Sequence, residues 1–140
     1  MQNVQLLIHG QSVAASSGQT FERISPIDGS VASISAAATL SDVDRAIESA
    51  HEAFKTWSAL SPTDRRLKLL KAADLMDQKT EQFIQTAIHE IGSTATWYGF
   101  NVHLAANMLR EAAAMTTQID GSIIPSDVPG NMAMGIRVPC

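Results

Sequence analysis

Trp97, Phe100, Leu104 and Met108 follow one another at intervals of three or four residues, and Ala112, Met115 and Ile119 extend the series. Side chains spaced this way share one side of an α-helix, so the run makes a single apolar stripe. None of these groups is an acid, a base or a nucleophile. The chemistry they offer is binding by shape, area burial and stacking. The chain has two Trp, one Tyr and four Phe, and Trp97, Tyr98 and Phe100 cluster at the start of the stripe beside Asn101 and His103. Two readings stand: a core helix with a bulky end, or an aromatic end that walls an apolar ligand tunnel.

Other reactive side chains are isolated. Glu90 ends a helical run just before Gly92, where the helix dipole opposes an anion; a solvated side chain is the expected reading, and a partner, a cation or a backbone donor, is the alternative. His9 stands beside Gly10 with no second ligand at metal spacing and reads as structural. Cys140, the single thiol, follows Pro139 at the end of a strand. Nothing nearby in sequence would lower its pKa, so it is not expected to be a nucleophile. The sequence contains no GxGxxG, no GxxxxGK[ST] and no GxSxG. By residue chemistry alone, the chain is not a complete catalyst.

The elements that position these residues are legible in outline. Strands are expected over 4–10, around Val13, over 20–24 and over 31–34, with Ser25-Pro26-Ile27-Asp28-Gly29-Ser30 as a turn. Helix starts are marked by Thr39 or Ser41, with Ser41-Asp42-Val43-Asp44 as a capping-box pattern, by Ser61 before Pro62, by Thr80, and by Ser93 or Thr94. Val43, Ile47, Ala50, Phe54 and Trp57 are the expected buried stripe of the first helix. The aromatic helix should run about 25 residues to Ile119, nearly 40 Å, with Gly121 stopping it. Met132, Met134, Ile136 and Val138 then alternate strictly after the Pro129-Gly130-Asn131 turn, which predicts a two-stranded ribbon with one apolar side. Such an arm needs a partner strand, from another chain or from further sequence.

Composition narrows the class. An apolar fraction of 45% with 17% charged residues reads as a globular domain or part of one. The net charge of −4, with basic residues scattered, argues against nucleic acid or a membrane surface as partner. No apolar run reaches the ~20 residues of a membrane span. A lone cysteine and the absence of a signal-peptide pattern at the N-terminus point to the cytoplasm.

An ordered set of short signatures adds to this. It comprises Ser25-Pro26-x-x-Gly29, Ala50-x-x-Ala53-Phe54-x-x-Trp57, Arg65-x-x-Lys68-Leu69-Leu70 with Ala73-Asp74, and Glu90-Ile91-Gly92. Gly121-x-Ile123-Ile124-Pro125 and Arg137-Val138-Pro139 complete it. The set resembles the N-terminal part of the NAD(P)-dependent aldehyde dehydrogenase superfamily, and the run Trp97–Val102 with Leu109-Arg110-Glu111-Ala112-Ala113 is similar to its salicylaldehyde, vanillin and benzaldehyde branch. The resemblance covers essentially the whole chain. It departs from the common Glu-x-Gly-Lys-Pro pattern, since this chain has Glu90-Ile91-Gly92-Ser93-Thr94.

The resemblance implies an α/β fold of which this is the N-terminal part: β-hairpins, a layer of about four helices, then a two-stranded β-arm. Residues 1–120 would belong to the cofactor-binding domain, with strands in 4–36 and helices in 41–119, and residues 121–140 to the oligomerisation arm. It implies oxidation of an aromatic aldehyde to the carboxylate with NAD or NADP, by a homo-oligomer. The catalytic Cys, Glu and Asn and the dinucleotide-binding strands would lie downstream of Cys140, so the 140 residues alone should be inactive. It puts Trp97, Phe100 and Leu104 on the wall of the substrate tunnel with Asn101 and Met108 nearby, Glu90 beside a structural cation, and Met132, Met134, Ile136 and Val138 in the oligomer contact. Tyr98 points elsewhere by spacing and is expected to pack. The rival expectation is a non-catalytic helical module that dimerises through the arm.

Overall fold

A computed structural model describes residues 2–139. Turn chemistry decides the pairing at its front. His9 and Gly10 both have positive φ, 52° and 70°, the geometry of a two-residue hairpin turn. They join β2 (Leu6–Ile8) to β3 (Gln11–Val13) in antiparallel register, Leu6 opposite Val13. β1 (Gln2–Val4) is separated from β2 at Gln5, so the single strand expected over 4–10 is really two. β1 runs parallel to β5 (Val31–Ala36), and β4 (Thr20–Ile24) pairs antiparallel on the other side, giving the order β1-β5-β4. The 25–30 turn is closed by Ser25 and Ser30 and by Asp28, which accepts from the Ser30 N–H at 3.0 Å and hydroxyl at 2.7 Å.

Four helices follow: α1 (Leu40–Ser58), α2 (Pro62–Gln78), α3 (Thr80–Ile91) and α4 (Ala95–Ala114). Ser61 caps α2 with Pro62 at its first position, as the sequence predicts. Gly92 ends α3 in the left-handed region at φ 67°, and its N–H donates to the Ile88 carbonyl at 3.1 Å, the αL cap. Thr94 caps α4. That helix is 20 residues long rather than about 25, because a 3-10 turn at Met115–Thr117 closes it before Ile119.

The capping box of α1 sits two residues earlier than the Ser41 pattern implied. Thr39 is the N-cap and Asp42 its reciprocal partner. The Asp42 carboxylate is only 1% exposed and also accepts from the Ser16 N–H and hydroxyl, which ties the loop before β4 to the helix start. Hydrogen bonds from the Thr39 and then the Ser16 N–H lower its pKa from 3.8 to about 2. A carboxyl held below its unfolded value contributes stability above the unfolded pKa and loses it as pH falls through the folded one. Melting temperature should therefore drop between about pH 3.8 and pH 2. Asp42→Asn should lower the neutral-pH melting temperature and flatten that acid slope; an unchanged slope would remove Asp42 as its source.

The core lies between helices and is built from small residues. Ala73 of α2, Ala87 of α3, and Val102, Ala106 and Ala113 of α4 are buried, which lets the helix axes approach closely. Polar clasps hold the α2–α4 pair. Arg110 reaches Asp74 at 2.9 Å and Asp77 at 2.7 Å, and the Arg66 Nε donates to the Ala113 carbonyl at 3.1 Å. Arg66 thus satisfies a carbonyl at the C-terminal end of α4.

The large apolar stripes are not what these residues bury. Val43, Ile47, Phe54 and Trp57 of α1 are exposed, as are Ala50 and most of the α4 stripe, correcting the expectation of buried faces. α2, α3 and α4 pack on one another through their small residues and α1 rests on β2, so the bulky faces point away. The ribbon of β6 (Ser122–Ile124) and β7 (Ala133–Gly135) closes the chain, Ile123 opposite Met134.

Candidate functional site

The start of α4 is the richest surface. The Thr94 hydroxyl accepts from the Trp97 N–H at 3.4 Å and fixes where the helix begins. One turn along, the Trp97 and Phe100 rings stack with centroids 5.8 Å apart and planes 29° from parallel. Asn101 donates its side-chain N–H to the Trp97 carbonyl at 2.7 Å, which leaves its own carbonyl oxygen as the outward acceptor. Trp97 is 62% exposed, Phe100 54%, Leu104 44% and Met108 64%. An aromatic–aliphatic strip about three turns long therefore faces outward on a helix whose opposite side is packed.

The five residues that the resemblance places along a substrate tunnel do not share one cavity. Trp97 and Asn101 border a cleft of about 400 Å³ with Met76, Phe83, Ile91 and Tyr98, between the start of α4 and the ends of α2 and α3. Phe100, Leu104 and Met108 lie outside that cleft, on the open face. Tyr98 is half-buried, but it lines the same cleft as Trp97 and does not point elsewhere as its spacing predicted. Beside it, a Cβ on Gly99 would stand 3.3 Å from Ile84, so the small residue lets α3 and α4 approach. This strip can bind a flat apolar molecule by stacking and area burial; it holds no group placed for proton transfer or attack.

Glu90 has found partners that spacing could not show. Its Oε1 accepts from the Ser33 hydroxyl at 2.6 Å, and its Oε2 lies 3.6 Å from the Arg23 Nε. The carboxylate joins α3 to β4 and β5, and the nearby cation is a guanidinium. Among the described residues no group of three His, Cys, Asp or Glu is arranged to hold a metal. His9 donates its backbone N–H to the Ser49 hydroxyl at 3.0 Å and serves the hairpin turn. Cys140 lies outside the described residues.

In the ribbon, Met132, Met134, Ile136 and Val138 are exposed, while Ala133 and Gly135 are half-covered. The predicted alternation holds over 132–136; beyond β7 it lapses, since Arg137 is exposed along with Ile136 and Val138. No helix among the described residues is long and apolar enough to cross a membrane.

Comparison with known proteins gives these surfaces a context. The model of the aldehyde dehydrogenase family matches residues 13–140. A vanillin dehydrogenase of Pseudomonas fluorescens is 56% identical over 140 residues, covering 100% of this chain and 29% of that protein. A salicylaldehyde dehydrogenase of Pseudomonas putida is 47% identical over 135 residues, covering 96% of this chain and 28% of that protein. Among solved structures, a salicylaldehyde dehydrogenase from Pseudomonas putida G7, complexed with salicylaldehyde, superposes with a TM-score of 0.96 at 44% identity, over 99% of this chain and 29% of that one. An NAD-dependent benzaldehyde dehydrogenase from Corynebacterium glutamicum superposes with a TM-score of 0.83 at 34% identity, over 90% of this chain and 28% of that one. The chain thus spans under a third of the length of these relatives. Its sequence signatures, its helix layer and its ribbon all match their N-terminal part, and the chain belongs to the aldehyde dehydrogenase family.

Proposed function

We propose that the full-length protein carrying these residues oxidises an aromatic aldehyde, of the benzaldehyde, salicylaldehyde or vanillin kind, to its carboxylate with NAD or NADP. The observation that carries this reading is the stacked Trp97–Phe100 pair, exposed at the start of α4, in a chain whose matched relatives are named for such aldehydes. Flat apolar walls favour a ring over a short alkyl chain because stacking adds to area burial. In this reading Trp97, Phe100 and Leu104 wall the substrate path, and Asn101 and Met108 flank it.

The nicotinamide cofactor supplies the hydride acceptor, and these residues do not fit it. No Gly-rich phosphate loop is present in the sequence. The N-terminus of α1, where an anion could otherwise settle, is filled by the Asp42 carboxylate. Cofactor binding is therefore assigned to the remaining length of the enzyme. The ribbon at 121–139, with Met132, Met134, Ile136 and Val138 outward, is assigned to contact between subunits.

The test is an assay of reduced-cofactor formation by the full-length enzyme over a series of aldehydes. Benzaldehyde-type substrates should exceed short aliphatic ones by about tenfold or more in kcat/KM, as expected from ~1.4 kcal/mol of extra transition-state binding per decade. The isolated residues 1–140 should show no turnover. Turnover by the isolated segment, or a preference for aliphatic aldehydes, would overturn the proposal.

A further inference from the structure

Among the described residues, the Nε of Arg65 is the one buried side-chain nitrogen or oxygen without a hydrogen-bond partner. A guanidinium carries five N–H donors, no acceptor, and a charge it cannot lose. Folded proteins leave few such donors unmet, because a buried unpaired donor keeps its full desolvation cost. The arginines around it show the usual solution. Arg66, its neighbour, is satisfied by the Ala113 carbonyl and the Thr117 hydroxyl, and Arg110 by Asp74 and Asp77.

Arg65 lines a cleft of about 590 Å³ where the end of α1, the side of α2 and the end of α4 meet the chain leaving the ribbon. Trp57, Leu69, Met115 and Ile119 supply apolar lining, and the second charged residue in it is Arg137. No carboxylate lies within 4.0 Å of either arginine among the described residues. Two like charges thus share one cleft with no counter-charge.

We infer that this cleft is a carboxylate site: an Asp or Glu side chain from the part of the full-length enzyme outside residues 1–140 enters it, accepts from the Arg65 Nε and neutralises Arg65 and Arg137 together. The inference rests on the proposed reading of these residues as part of a longer dehydrogenase. A backbone carbonyl could meet the orphaned donor, but it carries no charge to offset two guanidiniums. A carboxylate does both, and its two oxygens match the planar guanidinium fork. The source follows from length: the chain makes up 29% of its vanillin dehydrogenase relative, so most of such an enzyme remains to cover the open apolar rim. Once covered, the pair is shielded from water and salt. The clasp then links the helix layer to the rest of the enzyme at the root of the ribbon.

A crystal structure of the full-length enzyme tests this directly. A carboxylate oxygen of the protein should lie about 3 Å from the Arg65 Nε. A backbone carbonyl, a water or a free anion in that place would overturn the proposal. A double-mutant cycle gives the second measurement. Arg65→Met and the amide variant of the observed acid should each lower the melting temperature, and the double variant should fall no further than Arg65→Met alone. Additive losses would overturn the pairing. Should Arg65→Met fail to fold, Arg137→Met completes the same cycle with the same two outcomes. Aldehyde oxidation by the wild-type enzyme is read separately: its absence would remove the proposed activity, while the occupant of the cleft is still decided by the structure.

Discussion

Trp97→Ala in the full-length enzyme is expected to raise KM for benzaldehyde-type substrates by about tenfold while leaving short aliphatic aldehydes within about twofold, since ~1.4 kcal/mol separates each decade. Within these residues Trp97 is 62% exposed and its ring stacks on that of Phe100 with centroids 5.8 Å apart. The helix beneath it is held by other groups, the Thr94 cap and the buried Val102, Ala106 and Ala113. Truncation should therefore empty a binding surface without unpacking the layer. An aromatic substrate would lose contact with one wall, on the order of 50–100 Å² at roughly 25 cal/mol per Å², or about 1–2.5 kcal/mol. A short aldehyde never covers that area and loses little. A Trp that only supports the fold would act on both substrates alike, and equal KM changes would move it out of the substrate path. Trp97→Phe, which keeps a ring for stacking, should retain most of the aromatic preference.

That prediction concerns the feature the sequence displayed most openly, and the structure shows how openly and in what sense. The 3-4 spacing of Trp97, Phe100, Leu104 and Met108 identified a helix face correctly. It could not tell which surface that face meets, because periodicity records a preference for burial and not its partner. Here the small-residue face of α4 packs on α2 and α3, and the bulky face is left for something else. The same holds for Val43, Ile47, Phe54 and Trp57 on α1. Local signals were the most legible: Ser61-Pro62, Gly92 and Thr94 act within one turn of the chain, so their caps were found where expected. Long-range pairings were not. The parallel register of β1 on β5 joins residues about 30 apart, as in Gln2 opposite Ser33, and the Ser33–Glu90–Arg23 link spans three elements. Asp42 was visible as a capping residue, but its hold on Ser16 depends on how the loop returns. Arg65 stands in the sequence as part of a short signature; that its Nε lacks an acceptor follows from the packing of α1, α2 and α4 around it.

Gly121→Ala should have the largest effect of any single methyl added to this chain. A Cβ at Gly121 would run into the backbone carbonyl oxygen of Gly135, the residue that Ser122 faces across the ribbon. A flexible side chain could swing aside, but a carbonyl in a strand pair cannot move without breaking the register. The ribbon has nothing in reserve, since each of its strands has only three residues and isolated two-stranded pairs are marginal in water. Losing the register would scatter Met132, Met134, Ile136 and Val138, whose common side depends on strict alternation. If the ribbon makes the proposed subunit contact, the full-length variant should lose oligomeric mass in sedimentation or light scattering, with dissociation raised by a hundredfold or more, on the order of 3 kcal/mol. Gly130→Ala is the matched control. Gly130 has φ 82° and nothing within 4 Å of an added Cβ, so that change costs only the strain of a left-handed alanine, about 1 kcal/mol, and should leave the assembly intact. Native mass in both variants would show that the subunits meet elsewhere, while loss in Gly121→Ala alone would tie assembly to the pairing of β6 with β7.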